Sequence, residues 1–154
     1  MNKPDLLRQH LLEALPDLPP ERLTLSIGQG RTAIVQSATL SFEYRYSLTV
    51  TINDFSGGLD TIMVPVLAWL ERNQPERLRQ PAHEALTFEI ATFDTGQTNF
   101  TIVLDLSETV LAEPREGGGY TLTYVPEPDY DPGFDNVPDT ARLQTLALGD
   151  ETVF

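Results

Sequence analysis

Residues 40–53 read Leu40-Ser41-Phe42-Glu43-Tyr44-Arg45-Tyr46-Ser47-Leu48-Thr49-Val50-Thr51-Ile52-Asn53. Every even position is apolar or aromatic, and every odd position is polar. Successive side chains of a strand point to opposite faces, so this alternation writes one buried face and one wet face. The run is long for a strand. It predicts a segment that crosses the full width of a sheet or protrudes from it as an arm.

The flanks supply further strands. Arg22-Leu23-Thr24-Leu25-Ser26-Ile27 alternates in the same way. Gly28-Gln29-Gly30 then predicts a turn, with residues 32–35 returning as the second arm of a hairpin. Residues 85–93 and 100–106 predict a strand pair around an Asp94-Thr95-Gly96-Gln97 turn. Residues 110–112 and 120–125 predict shorter strands on either side of Gly117-Gly118-Gly119, a loop tip.

Two segments have helical spacing instead. In residues 5–15, Leu6, Leu7, Leu11, Leu12 and Leu15 fall on one stripe, with Pro4 at the start and Pro16 past the end. After Gly58, Leu59, Ile62, Met63, Val66, Leu67 and Leu70 repeat at helical intervals beside Trp69. Asp60 can cap this second helix. Pro65 implies either an irregular first turn or a start near Pro65 itself. The pair Gln74-Pro75 ends it, and residues 75–80 add a short turn. The expected fold is α+β. A mostly antiparallel sheet, with one long amphipathic strand and hairpins, is packed by an N-terminal and a central helix. It occupies one domain over residues 1–125.

Residues 126–154 differ in kind. They hold Pro126, Pro128, Pro132 and Pro138, and seven acids (Glu127, Asp129, Asp131, Asp135, Asp139, Asp150, Glu151) against one base, Arg142. Of the chain's formal charge of −13 this segment carries −6, leaving −7 on the first 125 residues. It reads as an extended acidic arm. Tyr130, Phe134, Leu143, Leu146, Leu148, Val153 and Phe154 are scattered through it, the residue types with which such a segment docks onto a body or a neighbour.

Composition limits the partners. A charge of −13 over 154 residues opposes phosphate backbones and anionic membranes, so neither specific nucleic-acid binding nor membrane association is expected. No apolar run approaches the ~18 residues of a membrane span, and the start Met1-Asn2-Lys3-Pro4-Asp5 lacks a signal peptide's apolar core. The chain has no Cys, which removes disulfides, thiolate metal sites and thiol nucleophiles.

Individual motifs yield little chemistry. Gly28-Gln29-Gly30-Arg31-Thr32-Ala33 matches a dinucleotide fingerprint of the form G-x-G-x-x-A, but that site needs a helix opening at the glycines, and strand pattern follows instead. Asp129 to Asp135 fails as a calcium loop, since Gly133 and Thr140 stand where oxygen ligands are required. His10 and His83 read as surface or helix-edge residues, and His83-Glu84 lacks the second His of a metalloprotease. Arg72, Arg77 and Arg79 sit among Glu71 and Glu76, a mixed-charge surface. No catalytic, cofactor-binding or metal-ligating set emerges. An assembly or interaction protein is expected, not an enzyme.

Three blocks carry a likeness. The opening Met1-Asn2-Lys3-Pro4-Asp5-Leu6-Leu7-Arg8 with Leu15-Pro16-Asp17-Leu18 resembles the tail completion protein R family of temperate, contractile-tailed phages (the Peduovirus group). So do Leu40-Ser41-Phe42-Glu43-Tyr44-Arg45-Tyr46 with Asp54-Phe55, and Met63-Val64-Pro65-Val66-Leu67-Ala68-Trp69-Leu70-Glu71-Arg72-Asn73-Gln74-Pro75-Glu76. The likeness spans roughly residues 1–125. It implies a virion morphogenesis protein of a phage or prophage, terminator-like, which finishes the tail before head joining. It would act in the bacterial host cytoplasm during assembly and then in the virion tail. The implied partners are copies of itself, tail tube and sheath proteins, and head-completion proteins, and no cofactor is implied.

These features together give the expectation of a ring, hexameric by the likeness, in which residues 40–53 or the acidic arm cross to the next subunit. The expected interface residues are Phe42, Tyr44, Tyr46, Tyr130, Phe134, Leu143 and Leu146, and acidic side chains would line the central hole so that DNA slides. Two rivals stand beside it: a monomeric adaptor that binds a partner through residues 126–154, and a small enzyme whose site forms only at a subunit junction.

Overall fold

The computed structural model of the chain describes residues 1–35, 38–79, 84–127, 147–148 and 151–152. The order is α1 (Lys3–Ala14), a 3-10 turn (Pro20–Arg22), β1 (Leu23–Val35), β2 (Ser41–Ile52), α2 (Leu59–Asn73), α3 (Glu76–Arg79), β3 (Thr87–Thr92), β4 (Thr98–Pro114), β5 (Tyr120–Tyr124), β6 (Ala147–Leu148) and β7 (Glu151–Thr152). Five strands form one antiparallel sheet in the order β1-β2-β4-β3, with β5 also on β4. Among the described residues, β6 and β7 pair with each other in a separate two-stranded sheet. The fold is α+β, with α1 and α2 on one face of the sheet, as the periodicities predict.

β2 lies at the centre. Its inward residues Tyr46, Leu48, Val50 and Ile52 stand opposite Leu106, Leu104, Ile102 and Phe100 of β4. All eight are buried. Such directly opposed apolar pairs are what hold an antiparallel sheet together. Leu7 and Leu11 of α1, and Ile62, Val66, Trp69 and Leu70 of α2, close over this face. Each fully buried leucine or isoleucine contributes about 2 kcal/mol of apolar transfer.

Both edges of β2 are occupied, by β1 and by β4. It is therefore neither a protruding arm nor free to cross into a neighbouring sheet. The expected hairpin within residues 22–35 is also corrected. β1 is a single strand, and Gly28-Gln29-Gly30 is a bulge inside it. Gly28 pairs with Ser47 and Arg31 with Arg45, so Gln29 and Gly30 together oppose Tyr46 alone. Gln29 reaches a φ of +51° to do this. With the backbone inside a ladder, no helix opens at the glycines and the dinucleotide motif has no structural counterpart.

Residues 100–106 and 110–112 are likewise one strand, β4, 17 residues long. α2 begins at Leu59 with Gly58 as its N-cap and without a side-chain cap bond, so Asp60 lies in the first turn and caps nothing. Pro65 is accommodated within the helix. Of the expected acidic arm, only Pro126, Glu127 and the two short strands belong to the described residues.

Candidate functional site

The most constructed place in the molecule is a gap in the sheet. On the edge of β4 away from β2, β3 covers residues 98–103 and β5 covers residues 110–114. Between them the backbone of Ser107 faces outward, and an unpaired buried N–H or C=O is costly. Side chains fill the gap. Gln74 Oε1 accepts from the Ser107 N–H at 3.1 Å, and Lys3 Nζ donates to the Ser107 carbonyl at 2.7 Å. Gln74 sits where α2 ends, its own N–H still bonded to the Leu70 carbonyl, so the helix delivers the amide to the strand.

Lys3 is almost fully buried. Its Nζ also donates to Gln74 Oε1 at 2.8 Å and to Glu127 Oε1 at 2.7 Å. The second contact is an ion pair that ties the root of the C-terminal segment to the first turn of α1. Beside it, the buried Glu108 carboxylate accepts from the backbone N–H groups of Asn2 at 2.8 Å and Lys3 at 3.3 Å, and from the Tyr46 hydroxyl. The start of a helix offers unpaired N–H groups and a positive dipole end, which is what a buried carboxylate needs. The Met1 amine donates to the Tyr124 hydroxyl. Met1 and Glu127 thus meet at one polar junction. Among the described residues, no buried side-chain polar atom lacks a partner.

Burial first, and Glu108 second, push the Tyr46 hydroxyl far above its ordinary value. The folded chain holds this proton, while the unfolded chain releases it near pH ~10. Its contribution is therefore complete below that pH and drains away above it. Tyr46→Phe is expected to cost about 1.5–3 kcal/mol at neutral pH, from the lost hydrogen bond to a carboxylate. It should also flatten the fall in stability above pH ~10. Denaturant melts from pH 8 to 11 measure both, and parallel curves for the two proteins would refute the assignment.

The sequence-derived interface residues separate in the structure. Tyr46 is 3% exposed and its hydroxyl is bonded within the chain, so it packs in the core. Phe42 and Tyr44 are half-buried, their rings edge to face with centroids 5.0 Å apart. Tyr130, Phe134, Leu143 and Leu146 lie outside the described residues. His10 is buried, not at the surface, and its Nε2–H donates to the Pro65 carbonyl of α2 at 2.9 Å. His83 lies outside the described residues.

Sequence reasoning missed two apolar surfaces. At the far end of the sheet, Ile34, Leu40, Tyr120 and Leu122 are exposed. On β3, Phe88 and Ile90 are 50% and 48% exposed. The alternation of β3 was legible, but alternation cannot say that the helices stop short of this edge. Among the described residues, no three or more His, Asp or Glu side chains come together as metal ligands.

Comparison with known proteins adds the evolutionary context. The family described as P2 phage tail completion protein R (GpR) matches residues 1–128. Tail completion protein R of Escherichia phage P2 is 36% identical over 121 residues, covering 76% of this chain and 78% of the relative. No solved structure matches. The family match takes in the whole sheet, both helices and the polar junction through Glu127, and the chain belongs to the P2 phage tail completion protein R family.

Proposed function

We propose that the protein completes the contractile tail of a phage or prophage, as a ring at the tail end that later receives the head. The observation that carries this is the family match over residues 1–128, which includes the polar junction of Lys3, Gln74, Glu108 and Glu127. The role is structural, with no chemistry performed. Its partners are copies of itself, tail tube and sheath proteins, and head-completion proteins. It assembles in the host cytoplasm and stays in the virion tail, and among the described residues no helix is long and apolar enough to cross a membrane.

The direct test is mass. The purified chain, alone and mixed with assembled tail tubes, is expected to give a closed oligomer in at least the second case. In a phage whose own tail completion gene is deleted, supplying this chain should restore head-bearing particles. A strict monomer under both conditions, together with failed complementation, would remove the reading.

A further inference from the structure

β2, with both edges filled, cannot join subunits, but the two outer strands of the main sheet can. In the order β1-β2-β4-β3, with every neighbour antiparallel, the two edge strands run in opposite directions. Copies laid side by side in the same sense therefore bring β3 of one against β1 of the next in antiparallel alignment. Such a head-to-tail contact closes into a ring when its rotation allows.

The backbone directions agree. Asn53 N–H bonds to the Arg22 carbonyl, which fixes the parity of β1 and turns the peptide groups of Leu25 and Ile27 outward. Phe93 N–H bonds to the Gln97 carbonyl, which likewise turns those of Phe88 and Ile90 outward. These four residues also share the helix-covered face, because Leu25 stands in a cross-sheet row with Val50, Ile102 and Phe88. Opposed residues of an antiparallel pair must meet both conditions.

Protection differs along the edges. Arg8 caps the Leu23 carbonyl at 2.7 Å, and the Gln29–Gly30 bulge ends regular pairing on the other side, leaving residues 24–28 open. β3 has no proline, bulge or lysine to blunt its edge, its one charge is Glu89, whose N–H and C=O pair with β4, and all six of its residues are exposed. Ile27, 46% exposed, matches Phe88 and Ile90 in kind and in face.

We propose that β3 of one copy adds to residues 24–28 of β1 in the next, seating Leu25 and Ile27 against Ile90 and Phe88. This rests on the ring reading and names its seam. Ile90→Pro removes an outward N–H and leaves the ladder to β4 intact. At an unchanged melting temperature it should abolish assembly on tail tubes. As a second measurement, the chain has no native Cys. Ile27→Cys with Phe88→Cys, oxidised in the assembled state, should give a ladder of disulfide-linked multimers that thiol collapses, and either single variant, with no Cys across the seam, should stay unlinked. A ring that tolerates Ile90→Pro, or that assembles without linking, overturns the seam alone. A wild-type chain that never assembles overturns the ring and the seam together.

Discussion

Alanine at position 108 is expected to lower the unfolding free energy by about 3 kcal/mol, with a loss of about 6–12 °C in melting temperature for a chain of this size. Glu108 is buried and accepts from two backbone N–H groups at the head of α1 and from Tyr46. Each hydrogen bond to a charged acceptor contributes about 1.5–3 kcal/mol, and its removal leaves buried donors unsatisfied. Glu108→Gln keeps the shape and one carbonyl acceptor but loses the charge that the helix terminus favours, so about half the loss is expected. A cycle with Tyr46→Phe should be non-additive, because the two side chains share a bond. Urea melts at pH 7 measure all four proteins. A Glu108→Ala loss below about 1 kcal/mol would mean that water replaces the carboxylate, and that the junction holds α1 by other contacts.

The same residue explains what could and could not be read from the chain. Alternation in β2 was legible because every inward position is apolar or aromatic. β4 alternates just as strictly in burial, but Val103 and Leu111 stand in its outward row and its inward row runs Leu104, Leu106, Glu108, Val110. A glutamate in an inward position looks like the end of a strand. It is instead satisfied by donors more than 60 positions away, at residues 2, 3 and 46. Local pattern carries no trace of such partners. Gly28-Gln29-Gly30 failed for a related reason, since glycines suit a turn and a bulge equally, and only the uninterrupted partner strand decides. Lys3 and Gln74 stand in blocks that carried the family likeness, yet nothing in their spacing says that they meet over Ser107. That gap arises only because β3 and β5 claim different halves of one edge.

Those connections make α2 as much a support for the junction as a cover for the core. Trp69, the chain's single tryptophan, is buried where α2 faces α1, with Leu6, His10 and Asn73 at the same cleft. Trp69→Ala is expected to cost about 3–5 kcal/mol, through lost transfer and the cavity left behind. Trp69→Phe should cost markedly less, because the ring that remains fills most of the space. Position along the helix gives a second readout. Gln74 follows five residues later, at the helix end, and its amide closes the gap over Ser107 while sharing Lys3 with Glu127. A loosened α2 should therefore expose the Ser107 amide before the rest of β4. Amide exchange in Trp69→Ala, compared with wild type under native conditions, tests this. Ser107 should lose protection by a larger factor than Ile102 or Leu104, which β2 holds from the other side. Uniform loss along β4 would show that α2 only covers the core and does not support the junction.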